Sequence, residues 1–179
     1  MPDPLDHLQT VGEIVQDLRG LGLAPVLVGG MALVVLGSRR VTRDFDFVIA
    51  HPGERLALTI DLFYDRGLEL VSRLNHIGEV VSTIASRKVA AIRLRIDAPA
   101  SAYFFNAETR LRVDLLFDFP IPAATLAEHA TRIRIRTYVF HIASEQDLLR
   151  LKNIAKAARS APGDAEDIAF LESRLKHSR

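Results

Sequence analysis

The stretch from residue 26 to residue 49 restricts the fold more than any other. Val26, Leu27 and Val28 form a short apolar run that Gly29-Gly30 interrupts, and Met31 to Leu36 is then apolar throughout. The run reads as a strand and the following segment as a buried helix. Gly37-Ser38-Arg39-Arg40 is a turn, and Thr42 to Ile49 (TRDFDFVI) alternates polar and apolar residues with the period of a strand. A strand, a glycine turn, a helix and a second strand thus follow one another with almost no intervening loop.

The rest of the chain extends this beginning into a mixture of strands and helices. Leu5, Leu8, Val11, Val15 and Leu18 recur at helical spacing, and Gly20 and Gly22 close that segment. Glu54 to Arg66 is amphipathic with helical period, Leu68 to Leu74 reads as a strand, and Asn75 to Arg87 is ambiguous. Val89 to Asp97 and Arg110 to Phe117 read as strands joined by a loop, with Pro120 and Pro122 ending the second. Arg132 to Arg136 and Tyr138 to Ile142 are two further short strands. Ser144 and Asp147 form a capping box for a helix to about Ala158. Ser160-Ala161-Pro162-Gly163 is a loop, and Asp164 caps a last helix through Leu175. Strands dominate the middle and helices close the chain, so the pattern predicts an α+β fold: a mixed β-sheet flanked by helices, with a helical C-terminal segment. The 179 residues suit a single domain, with a core at about 24–142 and terminal helices at about 144–176.

Composition excludes several classes. The absence of cysteine removes disulfides and thiolate metal sites. A net charge of +1 argues neither for nor against a nucleic-acid partner. The N-terminus is unlike a secretory signal, and no apolar stretch approaches membrane-spanning length. The expectation is a soluble, cytoplasmic protein without a membrane partner.

Three carboxylates carry the chemistry. Asp44 and Asp46 lie two apart in a strand and therefore on one face, while Phe45 and Phe47 occupy the other. Neighbouring carboxylates repel unless a cation lies between them, and hard oxygen ligands suit magnesium or manganese. The bland alternative is a solvent-facing pair held by Arg40 or Arg43. Asp114, in RLRVDLLFDF, is an acidic residue in an otherwise apolar strand, where an unpaired charge is costly. Its bland alternative is a buried salt bridge to Arg112 or Arg93. Asp118 falls nearer the strand end and reads as a loop residue. Glycines at the preceding strand-to-helix turn let backbone N–H groups approach a phosphate.

Together, Gly29-Gly30-Met31, the pair Asp44 and Asp46, and the later Asp114 resemble the DNA polymerase β-like nucleotidyltransferase superfamily. The run VGGMALVVLGSRRVTRDFDFVI is similar to the branch of AbiE-type toxin nucleotidyltransferases, in which Arg40, Thr42, Asp44 and Asp46 match an Arg-x-Thr-x-Asp-x-Asp string. Lys152, Lys156, Asp164 and Asp167 match the C-terminal helices of that branch, so the resemblance spans about Val26 to Leu171. It implies a nucleotidyltransferase fold and transfer of a nucleotidyl group from a nucleoside triphosphate, ATP among them, to an acceptor hydroxyl. Asp44, Asp46 and Asp114 would be the catalytic residues and would hold two Mg2+ or Mn2+ ions. Gly29, Gly30, Met31, Arg40, Thr42 and Lys152 would bind the nucleotide. One departure is Met31, which stands where many relatives have a serine.

The acceptor is open. A toxin-like enzyme would modify tRNA or a protein and would pair with an antitoxin or second subunit. An antibiotic-modifying relative would use a drug hydroxyl, and a non-catalytic nucleotide- or partner-binding module is a third reading. Arg132, Arg134 and Arg136 share a strand face, either as a phosphate track or as a charged edge strand. His51, His76, His129 and His141 read as surface or loop residues.

Overall fold

The computed structural model describes residues 4–158, 161 and 163–178. Helix α1 (Pro4–Gly20) buries Val11, Ile14, Val15 and Leu18 on one stripe; the side chain of Leu5 lies outside the described residues. Strand β1 (Val26–Val28), helix α2 (Gly29–Val35) and strand β2 (Asp44–Ile49) follow. Gly29 and Gly30 form the first turn of α2 rather than a separate break. A 3-10 turn at Gly53–Arg55 leads into α3 (Leu56–Tyr64), and β3 is Glu69–Leu74.

The ambiguous segment contains β4 (Val80–Ile84), folded back on β3. The turn is held by Asn75 Oδ1, which accepts from the N–H groups of Ile77 and Glu79 at 3.0 and 2.8 Å. The next segment corrects the sequence reading. Val89 to Asp97 is not a strand but part of helix α4 (Arg87–Asp97). Ser86 caps it, its Oγ accepting from Val89 N–H at 3.3 Å. Ala90 and Leu94, four residues apart, are its buried positions, while Ile92 and Ile96 stay exposed despite their alternation with arginines. The supposed loop beyond it contains β5 (Ser101–Phe105), which buries Ala102, Phe104 and Phe105.

Strand β6 (Arg112–Phe117) falls within the expected range, and α5 (Ala123–His129) follows Pro122, which reads in the sequence only as a strand terminator. Strands β7 (Thr131–Ile135) and β8 (Tyr138–Ile142) form a hairpin, and α6 (Glu145–Ala158) and α7 (Asp164–His177) close the fold. Ser144 Oγ accepts from Asp147 N–H at 3.1 Å, as the capping box requires. At α7 the cap is Gly163; Asp164 sits in the first turn, where its Oδ2 accepts from Ala161 N–H at 3.0 Å. Ser160 and Pro162 of the expected loop lie outside the described residues.

The eight strands of the described residues join one sheet in the order β4-β3-β5-β6-β2-β1-β8-β7. β2 pairs with β6, and β1 with β8, in parallel; the remaining pairs are antiparallel. The architecture is therefore the expected mixed sheet with a helical C-terminal part. Phe47, Phe63 and Phe104 are among the largest fully buried side chains, and the last two stack at 4.1 Å between centroids. No helix among the described residues is long and apolar enough to cross a membrane.

Candidate active site

Strand alternation sorts β2 into two chemistries. Phe45, Phe47 and Ile49 enter the core on one face, and Asp44, Asp46 and Val48 lie on the other. The parallel pairing with β6 has no stagger, so Asp44 faces Arg112, Asp46 faces Asp114 and Val48 faces Leu116. Neighbouring strands run about 4.8 Å apart. The three carboxylates expected from the sequence therefore meet on one face of the two central strands.

Their electrostatics follow from that crowding. The Asp46 carboxyl is pushed up to about 8, first by burial and then by the charge of Asp114, with Asp44 adding to the effect and Arg112 opposing it. Burial also raises Asp114, against the pull of Arg112. Asp46 and Asp114 each act on the ionisation of the other.

The two glycines have a steric reason. Gly29 has φ +70, and a Cβ there would overlap Asp46 Oδ2 and lie 3.0 Å from Asp46 Cγ. A Cβ on Gly30 would lie 3.0 Å from Arg40 Nε. The first turn of α2 thus leaves room for one carboxylate and one guanidinium. Met31 adds no polar group, since its side chain packs against the core.

The bland partners proposed for the Asp44 and Asp46 pair do not hold them. Arg43 is exposed, and Arg40 turns away to Asp167 on α7. Lys152, on α6, joins the same cluster, its Nζ lying 2.8 Å from Asp167 Oδ2 and 3.3 Å from Asp164 Oδ1. Burial opposes ionisation of Asp164, but the Ala161 N–H and Lys152 together hold its carboxyl below the usual range. Both cations expected at the nucleotide are therefore gathered on the acidic pair that opens α7. Thr42 is half-buried in the loop before β2, and Lys156 is exposed.

Asp114 does have the salt bridge that its buried position suggests. Arg112, two residues earlier on the same strand face, donates from Nε to Asp114 Oδ1 at 2.8 Å and from Nη2 to Oδ2 at 3.0 Å. Its Nη1 donates to Gly78 O in the β3–β4 turn at 2.8 Å, and its guanidinium lies 4.9 Å from the centroid of Tyr103. Burial works against the charge of Arg112, and Asp114 with Asp44 and Asp46 more than restores it. Arg93 instead pairs with Asp97.

The donor set fits a hard divalent ion at Asp44 and Asp46, two crowded carboxylates that repel each other. Among the described residues no three His, Asp or Glu side chains form a ligand set on their own, which agrees with Asp114 being turned to Arg112. Magnesium commonly takes only one or two carboxylates, leaving its other positions to water and substrate phosphates.

Elsewhere, Asp118 is a loop residue, as read from sequence; it accepts from His51 N–H and Ala123 N–H at 3.0 and 2.9 Å. His129 ends α5 beside Asp147, 3.4 Å away. His141 departs from the surface reading. It is half-buried in β8, with its Nδ1 3.0 Å from Arg19 Nη2. Arg132, Arg134 and Arg136 lie on or just beyond β7, the edge strand of the sheet, where charge protects the unpaired outer edge.

No protein-family model matches the chain, and no curated protein matches it in sequence. Solved structures do. A lincosamide antibiotic adenylyltransferase with lincomycin bound aligns with 92% of this chain and 96% of its own at 13% identity, TM-score 0.56. An antigenic nucleotidyltransferase-like protein from Paracoccidioides brasiliensis aligns over 93% and 75% at 20% identity, TM-score 0.59. The antibiotic-resistance factor ANT(2'')-Ia aligns over 97% and 86% at 11% identity, TM-score 0.58. The chain has the nucleotidyltransferase fold. At these identities the likeness shows the fold.

Proposed function

We propose that the chain is a metal-dependent nucleotidyltransferase, and the observation that carries this reading is the unstaggered parallel pairing that sets Asp46 beside Asp114. Asp44 and Asp46 would hold a Mg2+ or Mn2+ ion together with the triphosphate. When bound, that ion would neutralise the crowded carboxylates and stabilise charge developing on the phosphoryl oxygens. The triphosphate would lie beside the first turn of α2, where Gly29 and Gly30 bring the Asp46 carboxylate and the Arg40 guanidinium close to the backbone, with Lys152 within reach through the α7 cluster. An acceptor oxygen would attack the α-phosphorus, the new O–P bond forming as the bond to pyrophosphate breaks. Each Asp114 oxygen keeps a lone pair beyond its bond to Arg112 and can take the acceptor's proton. A second ion at Asp114 would have to share that carboxylate with Arg112.

The solved structures support nucleotidyl transfer without fixing an acceptor. One of them binds lincomycin, in keeping with the antibiotic-modifying alternative. The toxin-like reading, with a tRNA or protein acceptor and an antitoxin partner, rests on the sequence string around Arg40 and Asp46.

The test is transfer by the purified protein with each α-labelled triphosphate, magnesium and, as acceptors, total cellular RNA, protein and small-molecule extract in turn, using Asp114→Ala as the discriminating variant. An enzyme in which Asp114 acts chiefly in the transition state keeps nucleotide affinity in Asp114→Ala while transfer falls by orders of magnitude. A binding module binds nucleotide and transfers nothing even as wild type, which would refute the proposal.

A further inference from the structure

A cavity of about 390 Å³ opens beside Asp46 on the carboxylate face of the sheet. Its floor is the continuation of the two central strands, Val48 and Leu116, each two residues beyond a site carboxylate. Its roof is one face of α6, where Leu148, Leu151, Lys152 and Ala155 recur at helical spacing. Phe119 and Ile154 also line it, and both are large apolar side chains left partly exposed. Gly29 and Asp46 place one end of the cavity against the position proposed for the triphosphate.

The chemistry of this lining narrows what can enter. Among the described residues, the charged side chains that reach it are Asp46 and Lys152. Asp46 belongs to the proposed metal site, and Lys152, held by Asp164 and Asp167, is assigned to the triphosphate, so neither is left for the acceptor. A polyanion such as an RNA end would find no free cation there, and a polyamine would find no free carboxylate; either would be desolvated without compensation. Among the described residues the lining contains no Ser, Thr, Asn, Gln or Tyr side chain, so the polar edge of a nucleobase would find among them no side-chain partner beyond those two committed charges. The volume suits a drug-sized molecule or a large part of one.

We propose that this cavity receives the body of the acceptor, and that the acceptor is a small molecule bearing its hydroxyl on an uncharged, predominantly apolar skeleton. The inference rests on the nucleotidyl-transfer reading and names its substrate class. The apolar skeleton lies between α6 and the strands, and the hydroxyl points out of the apolar region toward Asp46 and Asp114. Transfer then forms the bond between that oxygen and the α-phosphorus of the triphosphate, releases pyrophosphate and passes the hydroxyl proton to Asp114.

Three probes with one skeleton test this: 2-phenylethanol, 2-phenylethylammonium and phenylacetate. Each is titrated into methyl-labelled protein, alone and with the magnesium complex of α,β-methylene-ATP, which cannot undergo transfer. The expected result is saturable shifts at the methyls of Leu116, Leu148, Leu151 and Ile154 with the neutral alcohol, several-fold weaker binding of the two ions, and simultaneous binding of alcohol and nucleotide. Ala155→Trp, which fills the cavity, and Phe119→Asp, which charges its rim, should each abolish the alcohol shifts and leave nucleotide affinity within about twofold. Absence of saturable shifts with the alcohol in the wild type overturns the proposal. Equal or tighter binding of an ion does so as well, as does competition between nucleotide and alcohol. If wild type binds the alcohol but no nucleotide, the nucleotidyl-transfer reading fails instead, so the two failures are distinguishable.

Discussion

Asp46 and Asp114 are register partners on adjacent parallel strands, β2 and β6, and each acts on the ionisation of the other. Arg112, on β6 opposite Asp44, closes its two bonds on Asp114, while the burden of burial and of the neighbouring acidic groups pushes the Asp46 carboxyl up to about 8.

That burden has a pH signature. A carboxyl whose pKa rises from 3.8 to about 8 on folding binds more protons folded than unfolded. Its contribution to stability is therefore greatest below pH 4 and is lost as pH rises toward 8. In chelator, urea unfolding of the wild type should weaken across that window relative to Asp46→Asn, by at most about 1.4 kcal/mol per pH unit. Parallel pH profiles for the two proteins would show that Asp46 is not strained.

Gly29 should be the less replaceable of the two glycines. Gly29→Ala places a Cβ at φ +70 and against the Asp46 carboxylate, and the backbone strain alone costs about 1–3 kcal/mol. Gly30→Ala meets only the flexible Arg40 guanidinium and should be several-fold milder in both unfolding free energy and nucleotide affinity. Equal effects at the two positions would contradict the steric assignment.

The Arg112–Asp114 pair should behave as a buried ion pair. Arg112→Met leaves the Asp114 carboxylate uncompensated and should cost about 3–5 kcal/mol. Adding Asp114→Asn should recover much of that loss in a double-mutant cycle. A single-variant cost below about 0.5 kcal/mol, the range of ordinary surface substitutions, would show that the pair is effectively solvated.

The sequence made the site more legible than the sheet around it. Period-two alternation in TRDFDFVI assigns Asp44 and Asp46 to one face, and the apolar neighbours of Asp114 mark it as costly to bury; both depend on local pattern alone. The partner of Asp114 was visible as a candidate because Arg112 lies two residues away on the same face. The Arg40–Asp167–Lys152 cluster was not, since it joins a loop to two later helices and exists only after they pack. Helix α4 is hidden by its own local pattern. Its Ile-Arg-Leu-Arg-Ile run alternates like a strand, yet the Ser86 cap and the burial of Ala90 and Leu94 fix it as helix. Strand β5 was missed because SAYFF begins among Pro, Ala and Ser residues that read as loop.

The central claim is that Asp44 and Asp46 hold a nucleotide through a divalent ion. Calorimetric titration with the magnesium complex of α,β-methylene-ATP at pH 8, on wild type and Asp46→Asn, tests it most directly. The expected result is one nucleotide per wild-type chain, no binding without magnesium, and at least about tenfold weaker binding to folded Asp46→Asn, a loss of about 1.4 kcal/mol. Equal affinity in the two proteins, or magnesium-independent binding, would contradict it.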